Sequence, residues 1–154
     1  VRQTRQDQIK GAVWTIPAEI MKGRVGTTAD FSIPLSLEAL AVLRQARPFA
    51  REGNLFPNVS GRGVISDMTM GKLMERRKMA ARPHGFRSSL RDWIAETTDT
   101  PYEVAETALG HAVGGKVERA YRRTDFLGQR RRLLEKWADH VLGKHNRVIQ
   151  LVKG

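Results

Sequence analysis

The spacing of apolar residues changes character several times along the chain, and each change marks an element. Val13-Trp14-Thr15-Ile16 and Phe31-Ser32-Ile33 are short β-branched and aromatic runs closed by Pro17 and Pro34, with the glycine-containing stretch 22–29 between them. That pattern predicts a strand, a basic loop and a returning strand. Behind Pro34 the spacing turns helical: Leu37, Leu40, Ala41 and Leu43 recur on one side of a segment that Ser36 caps and Pro48 stops. Residues 48–63, rich in proline and glycine, read as a surface connection anchored by Leu55 and Phe56. Ser66 then caps a helix to about Met79, and a helix beginning near His84 carries Phe86, Leu90, Trp93 and Ile94 on its predicted core face. Thr100-Pro101-Tyr102-Glu103 is a capping box opening the next helix, which Gly110 ends. After a turn at Gly114-Gly115 the pattern gives a short helix over 117–122 and a longer one over 126–142, amphipathic through Leu133, Leu134, Trp137 and Val141. The tail 147–152 alternates like a strand. The sum is one α+β domain, mostly α, with a small antiparallel sheet and no internal repeat.

Composition narrows the partners. The 154 residues carry a net charge of +11, which makes a polyanion the leading partner, with nucleic acid ahead of an anionic membrane because the basic residues cluster beside motifs and do not line one long amphipathic helix. No apolar run approaches the ~20 residues that span a bilayer, and no signal-peptide core opens the chain, so a soluble protein is expected. Cysteine is absent, which excludes disulfides, thiolate catalysis and thiolate metal sites.

The candidate chemistry lies in the second half. His84 and Arg87 are three residues apart at a helix start, so both leave the same side, where a guanidinium fork and a positive helix end favour a phosphate. Leu109-Gly110-His111 follows, and Tyr121 stands ten residues after His111 among Arg119, Arg122 and Arg123. Singly these are ordinary: an H-x-x-R pair is usually plain helix surface, a lone Tyr or His is usually a packing residue, and an arginine run such as Arg130 to Arg132 is usually a solvated face. Trp93 and Trp137 read as core.

Taken together, the order of basic hairpin, H-x-x-R, L-G-H and a late Tyr resembles the tyrosine recombinase family, and the stretches HGFRSSLRDWIAETT and KVERAYRR look like its prophage-integrase branch. The resemblance covers most of the chain. It implies the helical catalytic core of the DNA breaking and rejoining enzymes. Tyr121 is then the nucleophile, Arg87 the second active-site arginine, His84 and His111 the motif histidines and Lys22 the hairpin lysine, with Arg24 and Lys10 as alternatives for the last. Arg24, Arg91, Arg119, Arg122 and Arg123 become DNA contacts. A phenol whose free pKa is about 10 must lose its proton to attack a phosphodiester; arginines and histidines supply what a metal otherwise would, so no metal or cofactor is expected. The implied partners are double-stranded DNA and three further copies in a tetrameric complex, in the bacterial cytoplasm.

One departure concerns the start of the chain. The family's first arginine sits in an R-x-x-E segment ahead of the first strands, and the sequence offers only Arg2 and Arg5, the latter with Gln8 three residues on. The expectation is a catalytic domain over 1–154 truncated at its N-terminus, lacking that arginine segment and the N-terminal DNA-binding domain. It folds but cuts DNA weakly. Against recombination stand a non-catalytic DNA-binding module derived from a recombinase, a type IB topoisomerase and, last, an RNA-binding protein.

Overall fold

A computed structural model of the chain describes residues 2–21, 29–111, 113–115 and 124–144, and every structural statement below concerns these. The two β-branched runs pair as their patterning requires. β1 (Ile9–Lys10), β2 (Val13–Ile16) and β3 (Phe31–Pro34) form an antiparallel sheet in that order, with Ile9 opposite Trp14, Trp14 opposite Ile33 and Thr15 opposite Ser32. At two residues, β1 is too short to show an alternation. It joins β2 through a turn in which Gly11 takes φ 57°, a conformation that costs glycine nothing.

α1 (Leu37–Ala46) starts where Ser36 Oγ accepts the Ala39 N–H at 3.2 Å. Its packing face is Ala39, Leu40 and Leu43, laid against a cluster of Ile9, Leu35 and Leu55. Leu37, expected in that face, lies in the first turn and is 68 % exposed. α2 (Met68–Arg76) opens with Ser66 Oγ accepting the Met68 N–H, and ends before the expected Met79 because Lys78 turns left-handed at φ 55°. The Met79 amide then returns to the Met74 carbonyl and closes the helix.

α3 (Gly85–Thr97), α4 (Tyr102–Ala108) and α5 (Leu127–Val141) build a second cluster from Ile94, Val104, Ala105 and Leu133, with Leu90, Trp93, Ala108 and Phe126 packed around it. Trp93 and Trp137 meet across α3 and α5 with ring centroids 5.2 Å apart, and His140 stacks on Trp137. Phe86 does not join this core and is half exposed. The capping box at Thr100 is not formed: its hydroxyl is paired with Thr98 Oγ1 at 2.8 Å, and Pro101 itself occupies the cap position of α4. The fold is α+β and mostly helical, as the periodicity predicts.

The two clusters meet where α5 crosses β3. Arg130, read from sequence as a solvated cation, is 1 % exposed at that crossing. Arg5 bonds the Glu52 carbonyl at 3.3 Å and lies 3.5 Å from Asp7, and it lines neither hollow beside Arg87 described below. Lys22, Arg24, Arg119, Tyr121, Arg122 and Arg123 lie outside the described residues, as do the short helix over 117–122 and the strand over 147–152 expected from the sequence.

Candidate active site

The L-G-H motif is a helix terminus. Gly110 follows α4 at φ 71°, its N–H donating to the Thr107 carbonyl at 2.9 Å while the His111 N–H donates to the Glu106 carbonyl at 3.0 Å. This left-handed cap favours glycine, because a Cβ there crowds the following carbonyl oxygen at a cost of roughly 1–2 kcal/mol. A side-chain carbon at Gly110 would also stand 3.6 Å from Phe31 Cε1. The cap folds the next residue back over the last turn, and the His111 ring consequently reaches Glu106, with Nδ1 2.7 Å from Oε2.

Arg87 arrives from the first turn of α3. Its Nη2 donates to the Leu109 carbonyl at 2.8 Å, a C-terminal carbonyl of α4 with no helical partner, and stands 2.6 Å from His111 Nε2. The partners fix the tautomer. A carboxylate only accepts and a guanidinium only donates, so Nδ1 carries the proton that goes to Glu106 and Nε2 accepts from Arg87. One turn further along α3, Arg91 Nε donates to the other Glu106 oxygen at 2.8 Å. Its guanidinium also lies 5.9 Å from the centroid of the Tyr102 ring. The His111 and Arg91 hydrogen bonds hold the Glu106 carboxyl below the usual glutamate range, against the opposing effect of its partial burial.

These residues line an open hollow of about 290 Å³ formed by His84, Arg87, Ser88, Arg91, Asp92, Leu109 and His111. Behind Arg87 a larger, mostly apolar hollow of about 570 Å³ is walled by Ile16, Phe31, Phe86, Leu90 and Trp137, which is where the exposed face of Phe86 points. The α3 amides contribute less than the sequence suggested, since the Gly85 and Arg87 N–H groups already donate to the Arg82 and His84 carbonyls. What the smaller hollow presents is side chain: the His84 imidazole and the Arg87 fork, whose Nε–H and two Nη1 protons have no partner among the described residues. The structure therefore brings together Arg87, His111, His84 and Arg91 of the residues expected from sequence. It adds Glu106, which the sequence reading did not single out. Among the described residues no group of three or more His, Asp or Glu could hold a metal ion, and no helix is long and apolar enough to cross a membrane.

The chain is 34 % identical over 146 residues to prophage integrase IntA of Escherichia coli (strain K12), an alignment covering 90 % of this chain and 34 % of that protein. It is similar to phage and prophage integrases. The integrase of Enterobacteria phage P4 is 26 % identical over 96 % of the chain and 34 % of its own length. The chain thus spans about a third of the length of the integrases it matches. No family model and no solved structure matches it.

Proposed function

We propose that the protein is a site-specific DNA recombinase that integrates phage or mobile-element DNA, with this chain as its catalytic domain and Tyr121 as its nucleophile. The observation that carries the reading is the convergence of two sequence motifs. Arg87 and His111, 24 residues apart in sequence, stand 2.6 Å apart on a hollow that His84 also lines, and the similar proteins are integrases.

In this scheme the substrate is a phosphodiester of double-stranded DNA. The Arg87 fork takes nonbridging oxygens through Nε and Nη1 and gathers the charge of the trigonal-bipyramidal transition state. To reach the phosphate, His111 Nε2 exchanges its Arg87 contact for a phosphate oxygen, taking up a proton from solvent to donate to it. Glu106 stabilises the resulting cation. The Tyr121 oxygen attacks phosphorus while its proton passes to the His84 imidazole. The bond from phosphorus to the 5′ oxygen breaks, and that oxygen leaves with a proton from Lys22. The product is a 3′-phosphotyrosyl link and a free 5′ hydroxyl, and attack by the 5′ hydroxyl of a second strand reverses the step. Arg24, Arg91, Arg119, Arg122 and Arg123 hold the DNA backbone, whose charge the +11 chain complements. Four copies act on two duplexes in the bacterial cytoplasm.

The test is Tyr121→Phe in the protein carrying this chain, with a nicked duplex that traps the covalent product. The adduct should disappear while DNA binding persists. An adduct of unchanged yield overturns the assignment.

A further inference from the structure

A buried arginine is expensive unless every donor finds a partner, and Arg130 has found partners of an instructive kind. Its Nε donates to the Asp125 carbonyl at 2.8 Å, its Nη2 to Asp125 Oδ2 at 2.9 Å and its Nη1 to the Ser32 carbonyl of β3 at 2.8 Å. The guanidinium carbon lies 5.1 Å from the centroid of the Phe31 ring. Burial pushes the guanidinium below its ordinary value and the Asp125 charge opposes that shift. Two of the three bonds thus hold a single residue, Asp125, just ahead of α5.

That junction is strained. Phe126 has φ 57° and ψ 27°, the left-handed region that a bulky residue enters only when its surroundings enforce it. Thr124 Oγ1 accepts the Phe126 N–H at 3.1 Å and Asp125 Oδ1 accepts the Leu127 N–H at 3.0 Å, so the bend is braced on both sides of Phe126. Asp125 is four residues after Tyr121, a span that cannot exceed about 14 Å when fully extended. Phe31 is also the residue whose Cε1 would stand 3.6 Å from a side-chain carbon at Gly110, next to His111.

We infer that Arg130 is a positioning residue for the nucleophile, its guanidinium anchoring Asp125, four residues after Tyr121, to β3. The inference rests on the reading of Tyr121 as nucleophile. Arg130 touches no substrate in this scheme and acts by holding Asp125 against β3. Displacing a reacting group by about 1 Å costs on the order of a hundredfold in rate, so the effect belongs in the chemical step and not in DNA affinity.

The experiment is single-turnover formation of the covalent adduct at saturating nicked DNA, in the protein carrying this chain, with rate constant, final amplitude and DNA Kd measured separately. Arg130→Lys keeps a charge but cannot bond three carbonyl or carboxylate oxygens in one plane. It should lower the rate constant about a hundredfold, with amplitude and Kd within about twofold of the parent. Asp125→Asn, at a half-exposed side chain, can keep the Leu127 cap through Oδ1 while turning an amide NH2 toward the guanidinium, and should lower the rate constant about tenfold. If Arg130→Lys fails to fold, Asp125→Asn decides. A loss of amplitude with an unchanged rate constant in Asp125→Asn means Arg130 only holds the fold together, and overturns the inference. So does a rate constant unchanged in both variants, or a Kd that rises in step with the lost rate. A persistent adduct in Tyr121→Phe overturns the underlying reading, and is seen without any change at Arg130.

Discussion

Removing the Glu106 carboxylate tests whether the His111 ring is held for chemistry. Glu106→Ala deletes two charge-assisted hydrogen bonds, from His111 Nδ1 at 2.7 Å and from Arg91 Nε at 2.8 Å. Fully protected, each such bond contributes roughly 1.5–3 kcal/mol. The His111 and Arg91 side chains are 49 % and 35 % exposed, so solvent screening reduces each to about 0.5–1 kcal/mol. The expected stability loss is then about 1–2 kcal/mol, a fall in Tm of about 3–6 °C for a domain of this size. The effect on adduct formation should be larger, about ten- to a hundredfold, because the freed imidazole no longer points Nε2 toward the Arg87 fork. Glu106→Gln can satisfy one donor but turns its own NH2 against the other, and should fall between parent and Ala. Nitrogen NMR of His111 should show a protonated Nδ1 in the parent and a tautomer mixture in Glu106→Ala. The depressed Glu106 carboxyl also sets a sign with pH. Its contribution to stability is complete above the ordinary glutamate value of about 4.3 and is lost as pH falls through the lower folded value. A Glu106→Ala protein with parental adduct rate and an unchanged His111 tautomer would refute the positioning argument.

Arg87→Lys should lower the adduct-forming rate far more than DNA affinity, since an ammonium cannot hold the Leu109 carbonyl and fork a phosphate at once; equal losses of both, in titration and single-turnover assays, would count against it. Gly110→Ala should cost about 1–2 kcal/mol, read by denaturant melts, and slow adduct formation as well, because φ 71° disfavours any side chain and a shift of the cap moves His111. Lys78→Gly should instead stabilise by about 0.5–1 kcal/mol, since Lys78 is exposed and strained at φ 55° behind α2, and an unchanged denaturation midpoint would show that the strain is relieved elsewhere.

The helices were legible where the chain carries local signals: Ser36 before α1, the left-handed Gly110 after α4, and the Leu133 to Trp137 stripe through α5, although Val141, expected on the same stripe, is 60 % exposed in the last turn. What escaped was decided by tertiary packing. β1 is two residues long, and Phe86 and Leu37 obey helical periodicity yet face out because the turns that carry them lie at the rim of their clusters. Thr100 had the right sequence for a cap and spent its hydroxyl on Thr98. In the site, His84, Arg87 and His111 were singled out by the resemblance that the order of their motifs carries, whereas Glu106 and Arg130 were not singled out at all. A carboxylate five residues before a histidine, or one arginine in a run of three, has no local signature that separates it from solvated surface. Their roles come from residues 15 and 98 positions away, Arg91 for Glu106 and Ser32 for Arg130.

The tilted contact of Trp93 with Trp137 gives the protein a built-in optical reporter. All three tryptophans of the chain are placed usefully: Trp14 belongs with the sheet cluster, its indole N–H on Gln8 Oε1, while the other two face each other across α3 and α5. Two indoles 5.2 Å apart couple their excited states, so a circular-dichroism couplet reports the docking of α3 on α5 and vanishes when the helices part. Fluorescence from Trp14 reports the sheet. Because the two clusters meet through α5, β3 and the guanidinium between them, following both signals through one melt shows whether the half carrying His84 and Arg87 can open while the sheet stays folded.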